Sequence, residues 1–398
     1  MSTEAESPEP VEKTEENHLP DTKEMRSVVL TSVGGLNKMR VMKRPEPAPQ
    51  EGEVMIRVKA CGLNFYDLMV RQGAVDNPPK TPIVLGFECS GVIEAVGGSV
   101  TDFQVGSNVI AITNYGAWSE LVTVPTKFCF HMPDGMSFED AAALPISYTT
   151  AHILLYELGN LKKGKSVLVH SAGGAVGSAV AQLSKQLENV TLFGTASAHK
   201  HEALKENWQH LFDREVQDYH QEVKKISPEG VDIVLDCLCG EDTNKGYSLL
   251  KPMGKYILFG SSNVVTGETR SFFSFAKAWW QVDKINPIKL YDENKTVSGF
   301  MLQNLIFSQG RFDVLQDVMA ELIGLYKAGK IKPVIDSVFA FEEIGTAMQK
   351  LHDRQNIGKV LISPLKEPQP KEEKSAESAT PPSPNSGDTE NESKEEQK

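Results

Sequence analysis

The run Ser166-Val167-Leu168-Val169-His170-Ser171 passes directly into Ala172-Gly173-Gly174-Ala175-Val176-Gly177, and then into an apolar-periodic stretch ending near Leu183. Strand, small-residue turn and amphipathic helix in that order open a dinucleotide-binding βαβ unit, with Ala172, Gly174 and Gly177 in its three small-residue positions. A diphosphate needs backbone N–H donors, the positive end of a helix and an approach free of side chains. The stretch Gly173, Gly174, Val176 and Gly177 is the expected cradle. Downstream, residues 190–194, 231–235 and 256–259 are short Val/Ile/Leu-rich runs separated by helical stretches. That alternation predicts a parallel sheet with crossover helices. His170, inside the first strand, reads as a satisfied core histidine.

The chain before this unit has a different grammar. Residues 27–30, 53–60, 86–96 and 105–112 read as strands, the second alternating with period two and the last two joined at Gly97-Gly98. This β-rich module gives way to a helix predicted over 147–158. After the parallel sheet come a helix at 311–327, a strand at 334–339, a helix at 341–353 and a strand at 360–362. The expected divisions are a leader 1–24, a first module 25–147, a nucleotide-binding module 148–305, a return to the first module over 306–365, and a tail 366–398. The fold class is α/β.

Composition confines the charge to the ends. The formal net charge is −12, and residues 1–24 hold eight acids against two lysines, while residues 366–398 hold nine against five. The terminal segments therefore read as disordered acidic tails, and the folded part is nearly neutral, which argues against nucleic acid as a partner. Thr380-Pro381 and Ser383-Pro384 in the tail have the form of proline-directed phosphorylation sites. Cys61, Cys89, Cys129, Cys237 and Cys239 are few, odd in number and scattered, so neither a disulfide framework nor a cysteine zinc cluster is expected. The acidic beginning has no signal or transit character, and apolar runs stop short of the ~20 residues of a spanning helix. The expected setting is cytoplasmic.

The second strand of the parallel sheet, 190–197, ends without the acid that holds a ribose 2′-hydroxyl in NAD-selective sites. Ser197, Ala198, His199 and Lys200 follow instead. A hydroxyl and a cation at Ser197 and Lys200 suit a 2′-phosphate, so NADPH is expected ahead of NADH. Lys200 as a solvated helix-start residue is the alternative.

Gly164-Lys165, Leu168, the run Ala172 to Gly177, Gln182 and Lys185, together with Asn64, Asp67, Gly86, Glu88 and Asp236, resemble the signature of zinc-free quinone oxidoreductases of the zeta-crystallin type. These are medium-chain dehydrogenases/reductases. Ala175 departs from the Gly of most relatives. The stretches Ala60 to Phe65, Asp67 to Gly73, Val169 to Gly174, Phe193 to Ser197 and Phe272 to Lys277 resemble, more narrowly, the synaptic vesicle membrane protein homolog family. The resemblance implies a GroES-like catalytic domain beside a Rossmann nucleotide-binding domain. It places Asn64, Tyr66 and Asp67 at the catalytic cleft. Thr150, Ala172, Gly173, Gly174, Val176, Gly177, Gly260 and Ser261 lie on the cofactor side. It also implies a homodimer through the edge strand near 296–301. Asp213 stands where some relatives contact phosphate with Tyr.

In metal-dependent relatives a Cys stands at the position of Asn64 and a His at that of Phe87. Neither Asn nor Phe replaces those zinc ligands, so no zinc is expected. What the resemblance then implies is hydride transfer from NADPH to a small-molecule acceptor already poor in electrons, a quinone or enone, with Asn64 orienting its oxygen and Tyr66 or water giving the proton. The second reading is a catalytically weak Rossmann-fold protein acting at vesicle or mitochondrial outer membranes as a lipid or partner binder. Its sequence basis is Phe272, Phe273, Phe275, Trp279 and Trp280 interleaved with Lys277, Lys284 and Lys289.

Overall fold

A computed structural model describes residues 23–265, 267, 269 and 286–370. The terminal segments with Thr380 and Ser383, and the aromatic stretch from Phe272 to Lys284, lie outside the described residues. The first folded unit ends at Pro368.

Ser166–Val169 is an inner strand of a six-stranded parallel sheet. Across it run His210–Phe212, Thr191–Thr195, Ser166–Val169, Val231–Asp236, Leu250–Leu258 and Thr296–Gly299. In order of occurrence this is 3-2-1-4-5-6, the doubly wound arrangement. The chain reverses its direction of travel between the first and fourth strands, so a crevice opens beyond their C-terminal ends. Val167, Leu168, Val169, Ile233, Val234 and Leu235 are buried on both faces, as a helix-covered parallel sheet requires. Thr296–Gly299 forms an outer edge.

A seven-stranded sheet holds the β-rich part. Ile335–Ala340, Lys359–Ser363, Glu53–Leu63, Glu88–Val96, Asn108–Ile112 and Cys129–His131 lie side by side, and Leu121–Pro125 pairs with Glu53–Leu63. Val360, Leu361 and Ile362 oppose Leu63, Gly62 and Cys61, which brings the C-terminal strand against the N-terminal module. A smaller sheet is built from Met39–Pro45, Glu24–Leu30 and Ile83–Val84.

Most element boundaries fall within a few residues of expectation, and the departures have local causes. The leader was expected to include residue 24, but Glu24 pairs with Pro45 in the first strand. The strand expected from Gly86 starts at Glu88, because Gly86 has φ +94° and a Cβ there would lie 2.3 Å from the Trp118 ring. The helix expected at 147 starts at Pro145, whose fixed φ suits a first helical position. It runs through Pro145–His152 and passes into a π-helical segment, Ile153–Leu158. Among the described residues, no helix is long and apolar enough to cross a membrane.

Candidate active site

A cavity of about 730 Å³ lies at the crevice of the parallel sheet, walled on its other side by the seven-stranded sheet. Its nucleotide wall is the small-residue turn. Gly174 caps the helix Ala175–Ser184 in extended conformation, so the first N–H groups of that helix face the cavity. A Cβ at Gly177 would lie 2.4 Å from the Ala172 carbonyl oxygen and 2.7 Å from that of Ser171, so helix and strand touch only because Gly stands there. The left-handed residue of the turn is Ser171, φ +63°. Ala175 is simply the first residue of the helix, which explains why its methyl is accommodated.

The turn is braced from the opposite sheet. Gly358 N–H donates to the Gly173 carbonyl at 2.9 Å, and Gly174 and Gly358 form an isolated parallel bridge. Lys200 is not the solvated helix-start residue of the alternative reading. It is 6% exposed rather than solvated, and its Nζ donates to the carbonyls of Arg354 and Asn356, the latter at 2.8 Å. Two of its three donors are thus used, although the side chain still lines the cavity. Burial holds its ammonium below the usual lysine range.

Arg354 is the cation the sequence reading passed over. Its guanidinium lines the same end of the cavity and donates to Asn263 Oδ1 at 3.2 Å. Burial, and then the charge of Arg214, hold it below the usual arginine range. Arg214 is itself paired with Asp242 at 2.9 Å. Two guanidinium groups and an ammonium on one wall make a receptor for a multiply charged anion. Asp213 is engaged locally, its carboxylate accepting from the N–H groups of Ala198 and Glu215.

The other end is built around Glu88, which is fully buried. Its Oε1 accepts from Asn64 Nδ2 at 2.9 Å and pairs with Lys359 Nζ at 2.5 Å, while Oε2 accepts from Ile146 N–H at 2.8 Å. Lys359 also donates to Asn64 Oδ1 at 2.7 Å and to Ser147 Oγ at 3.2 Å. A Cβ at Gly62 would stand 2.2 Å from Glu88 Oε1, so this glycine makes the room for the carboxylate. Asn64, Ser147 and Lys359 face the cavity. This residue set does not fit a catalytic zinc: it offers no thiolate or imidazole, and the carboxylate already faces an ammonium.

Asp67 is withheld from the cavity wall. It sits in the first turn of the helix Phe65–Gln72 with no exposure, and its Oδ2 accepts the Asn64 N–H at 2.8 Å. Burial raises its carboxyl to about 8, against the opposing pull of the Asn64 N–H and Lys359. Tyr66 does line the cavity, with its ring 5.3 Å from that of Phe87. Burial raises its phenol, so it stays a protonated donor at neutrality.

Of the remaining expected residues, Thr150, Gly173, Val176, Ser197, Gly260 and Ser261 all border the cavity. Ala172 is fully buried beneath the turn. His170 faces the cavity edge with both ring nitrogens engaged, Nδ1 to Asp236 at 2.7 Å and Nε2 to Tyr219 at 3.2 Å. Met69, Leu258, Phe259, Phe300, Met301 and Leu302 contribute apolar lining to the cavity.

Two family profiles match the chain: an alcohol dehydrogenase GroES-like domain over residues 50–134 and a zinc-binding dehydrogenase over residues 207–362. The chain is 60% identical over 365 residues to the mouse synaptic vesicle membrane protein VAT-1 homolog-like, covering 92% of this chain and 87% of the relative. It is similar to the crystal structure of the human VAT-1 homolog-like protein, with TM-score 0.77, 55% identity, and coverage of 87% of this chain and 99% of that one. A mycobacterial protein solved in complex with NADPH matches with TM-score 0.74 at 26% identity, covering 85% of this chain and all of that one. A quinone oxidoreductase of Pseudomonas syringae matches with TM-score 0.74 at 27% identity over the same shares.

Proposed function

Because the chain belongs to the synaptic vesicle membrane protein VAT-1 homolog and homolog-like family, within the medium-chain dehydrogenases/reductases, we propose that it is an NADPH-dependent oxidoreductase acting without zinc on a quinone or enone. The observation that carries this reading is the single cavity wall shared by the glycine turn, the Arg354 guanidinium and the Asn64 amide. Gly173, Gly174 and Gly177 would hold the diphosphate. Ser197, Lys200 and Arg354 would hold the 2′-phosphate, and Thr150, Gly260 and Ser261 the nicotinamide end. When bound, NADPH supplies a hydride, so a quinone taking that hydride and one proton leaves as the hydroquinone and the cofactor leaves as NADP⁺. Asn64 directs an N–H at the acceptor oxygen. Tyr66, a protonated phenol in the wall, or water delivers the proton. The apolar lining of Leu258, Phe259, Phe300, Met301 and Leu302 selects a flat, poorly hydrated acceptor over a sugar or a hydroxy acid.

The mycobacterial NADPH complex and the Pseudomonas quinone oxidoreductase lend support as relatives of the same fold. Fluorescence titration of the full chain with NADPH and NADH, followed by stopped-flow oxidation of NADPH with menadione and with a linear enone, tests the proposal. Saturable NADPH binding and turnover of at least one acceptor are expected. Absence of NADPH binding overturns it.

A second reading, peripheral attachment to a membrane, draws on the relatives' names and on the helix Pro287–Glu293. There Ile288 and Tyr291 are 68% and 81% exposed, flanking Lys289. Co-sedimentation with anionic vesicles, lost in Ile288→Glu/Tyr291→Glu, is its test.

A further inference from the structure

We propose that Lys359 is a positioning residue: its buried ammonium fixes the orientation of the Asn64 amide and strengthens the hydrogen bond that amide donates to the acceptor oxygen. The inference rests on the oxidoreductase reading above and assigns a cation to the reacting end of that site.

The geometry leaves little freedom. An ammonium only donates and a carboxylate only accepts, so Asn64 Oδ1 must face Lys359 Nζ, at 2.7 Å, and Asn64 Nδ2 must face Glu88 Oε1, at 2.9 Å. The opposite flip would set an N–H against an ammonium and an oxygen against a carboxylate. With Oδ1 and one N–H fixed, a single N–H of Asn64 remains, on a side chain that borders the cavity. All three donors of Lys359 are used, by Asn64, Glu88 and Ser147, so the cation does not itself bind the acceptor in this arrangement.

The electrostatics follow from the same contacts. Lys359 is 2% exposed and Glu88 is fully buried, so their interaction is scarcely screened. A quinone or enone that takes up hydride through its conjugated system carries negative charge on its oxygen until a proton arrives. An amide whose own oxygen accepts from a cation donates a stronger hydrogen bond to that oxyanion than an unassisted amide does. The ammonium thus acts through Asn64, where metal-dependent oxidoreductases place a charge directly on the substrate oxygen. Position supports the assignment. The strand Lys359–Ser363 starts at this residue, one residue after the Gly358 that braces the nucleotide turn. The cation and the glycine cradle are therefore set by one short stretch of backbone.

The test is Lys359→Met in the full chain, with Lys359→Met/Glu88→Gln as the companion that leaves no unpaired buried charge, and Lys359→Arg as the conservative variant. Three readouts are taken: NADPH affinity by fluorescence, steady-state reduction of menadione, and the orientation of Asn64 in crystals. In Lys359→Met, kcat should fall ~10²-fold with the NADPH Kd and the menadione KM within about threefold of wild type. The double variant should recover folding stability but not kcat, and Lys359→Arg should regain about tenfold in kcat. Crystals of the double variant should show the Asn64 amide turned from its present setting. A kcat within about threefold of wild type, or a parallel loss of NADPH affinity and kcat, overturns the proposal. If wild-type protein neither binds NADPH nor turns over, the functional reading fails. The Asn64 orientation then still decides this one, and an amide that keeps its setting in the double variant sinks it.

Discussion

Lys359 Nζ and Glu88 Oε1 are 2.5 Å apart, with the two side chains 2% and 0% exposed. Removing either charge alone strands the other in a low-dielectric interior. Lys359→Met or Glu88→Gln should each cost about 3–5 kcal/mol, whereas the double replacement should recover most of that loss. Chemical denaturation of the three variants checks this. Additive single losses would show that the pair is not coupled.

Asp67 makes stability fall with pH. An unfolded aspartate loses its proton near 3.9, while the buried carboxyl keeps it up to about 8. Between those values the folded state binds the extra proton, so wild type loses stability as pH rises through that window, with no further contribution above it. Asp67→Asn removes the titrating group and should flatten the curve, gaining on wild type from pH ~5 to ~9. Urea midpoints at both ends of that range decide it, and parallel curves would refute the assignment.

Arg354 should set the preference between the two nicotinamide dinucleotides. Arg354→Gln is expected to weaken NADPH about 10- to 100-fold while changing NADH by less than about threefold. Equal losses for both would place the guanidinium at the diphosphate or at the loop instead.

Gly177→Ala should lower NADPH affinity at least about tenfold and destabilise by about 1–3 kcal/mol, because its Cβ would meet two backbone carbonyl oxygens. Gly345→Ala is the control. It sits within the helix Ile344–His352 with nothing within 4 Å of its Cβ, and should stabilise by about 0.5–1 kcal/mol. A thermal shift of the same sign in both would show that packing at the turn is not what Gly177 provides.

Local patterns carried much of the fold. The strand before Gly173 and the parallel sheet were readable because buried strands and small-residue turns leave marks within a few residues. Non-local pairing was less visible. Lys359 begins a short buried strand, and a charge beside Val360-Leu361-Ile362 was the available signal for a buried ion pair, yet its partner lies 271 positions earlier. Arg354 escaped for the same reason, since its place in the nucleotide wall depends on how the C-terminal segment folds back. Lys200 was found by its position after the second strand. Its hydrogen bonds to the carbonyls of Arg354 and Asn356 were not foreseeable from local spacing. Asp67 was recognisable as a helix-start residue, but its burial was not.

The brace between Gly358 and Gly173 has a bearing on biosynthesis. A nascent chain emits the glycine turn roughly 180 residues before it emits the glycine that supports it, at a pace of about 5–20 residues per second. Throughout that interval the Glu88 carboxylate has no ammonium to meet and the nucleotide turn has no backing. Ribosomes halted anywhere short of the final strand therefore display a half-formed crevice, and a frameshift late in the message is as damaging to the pocket as one within it.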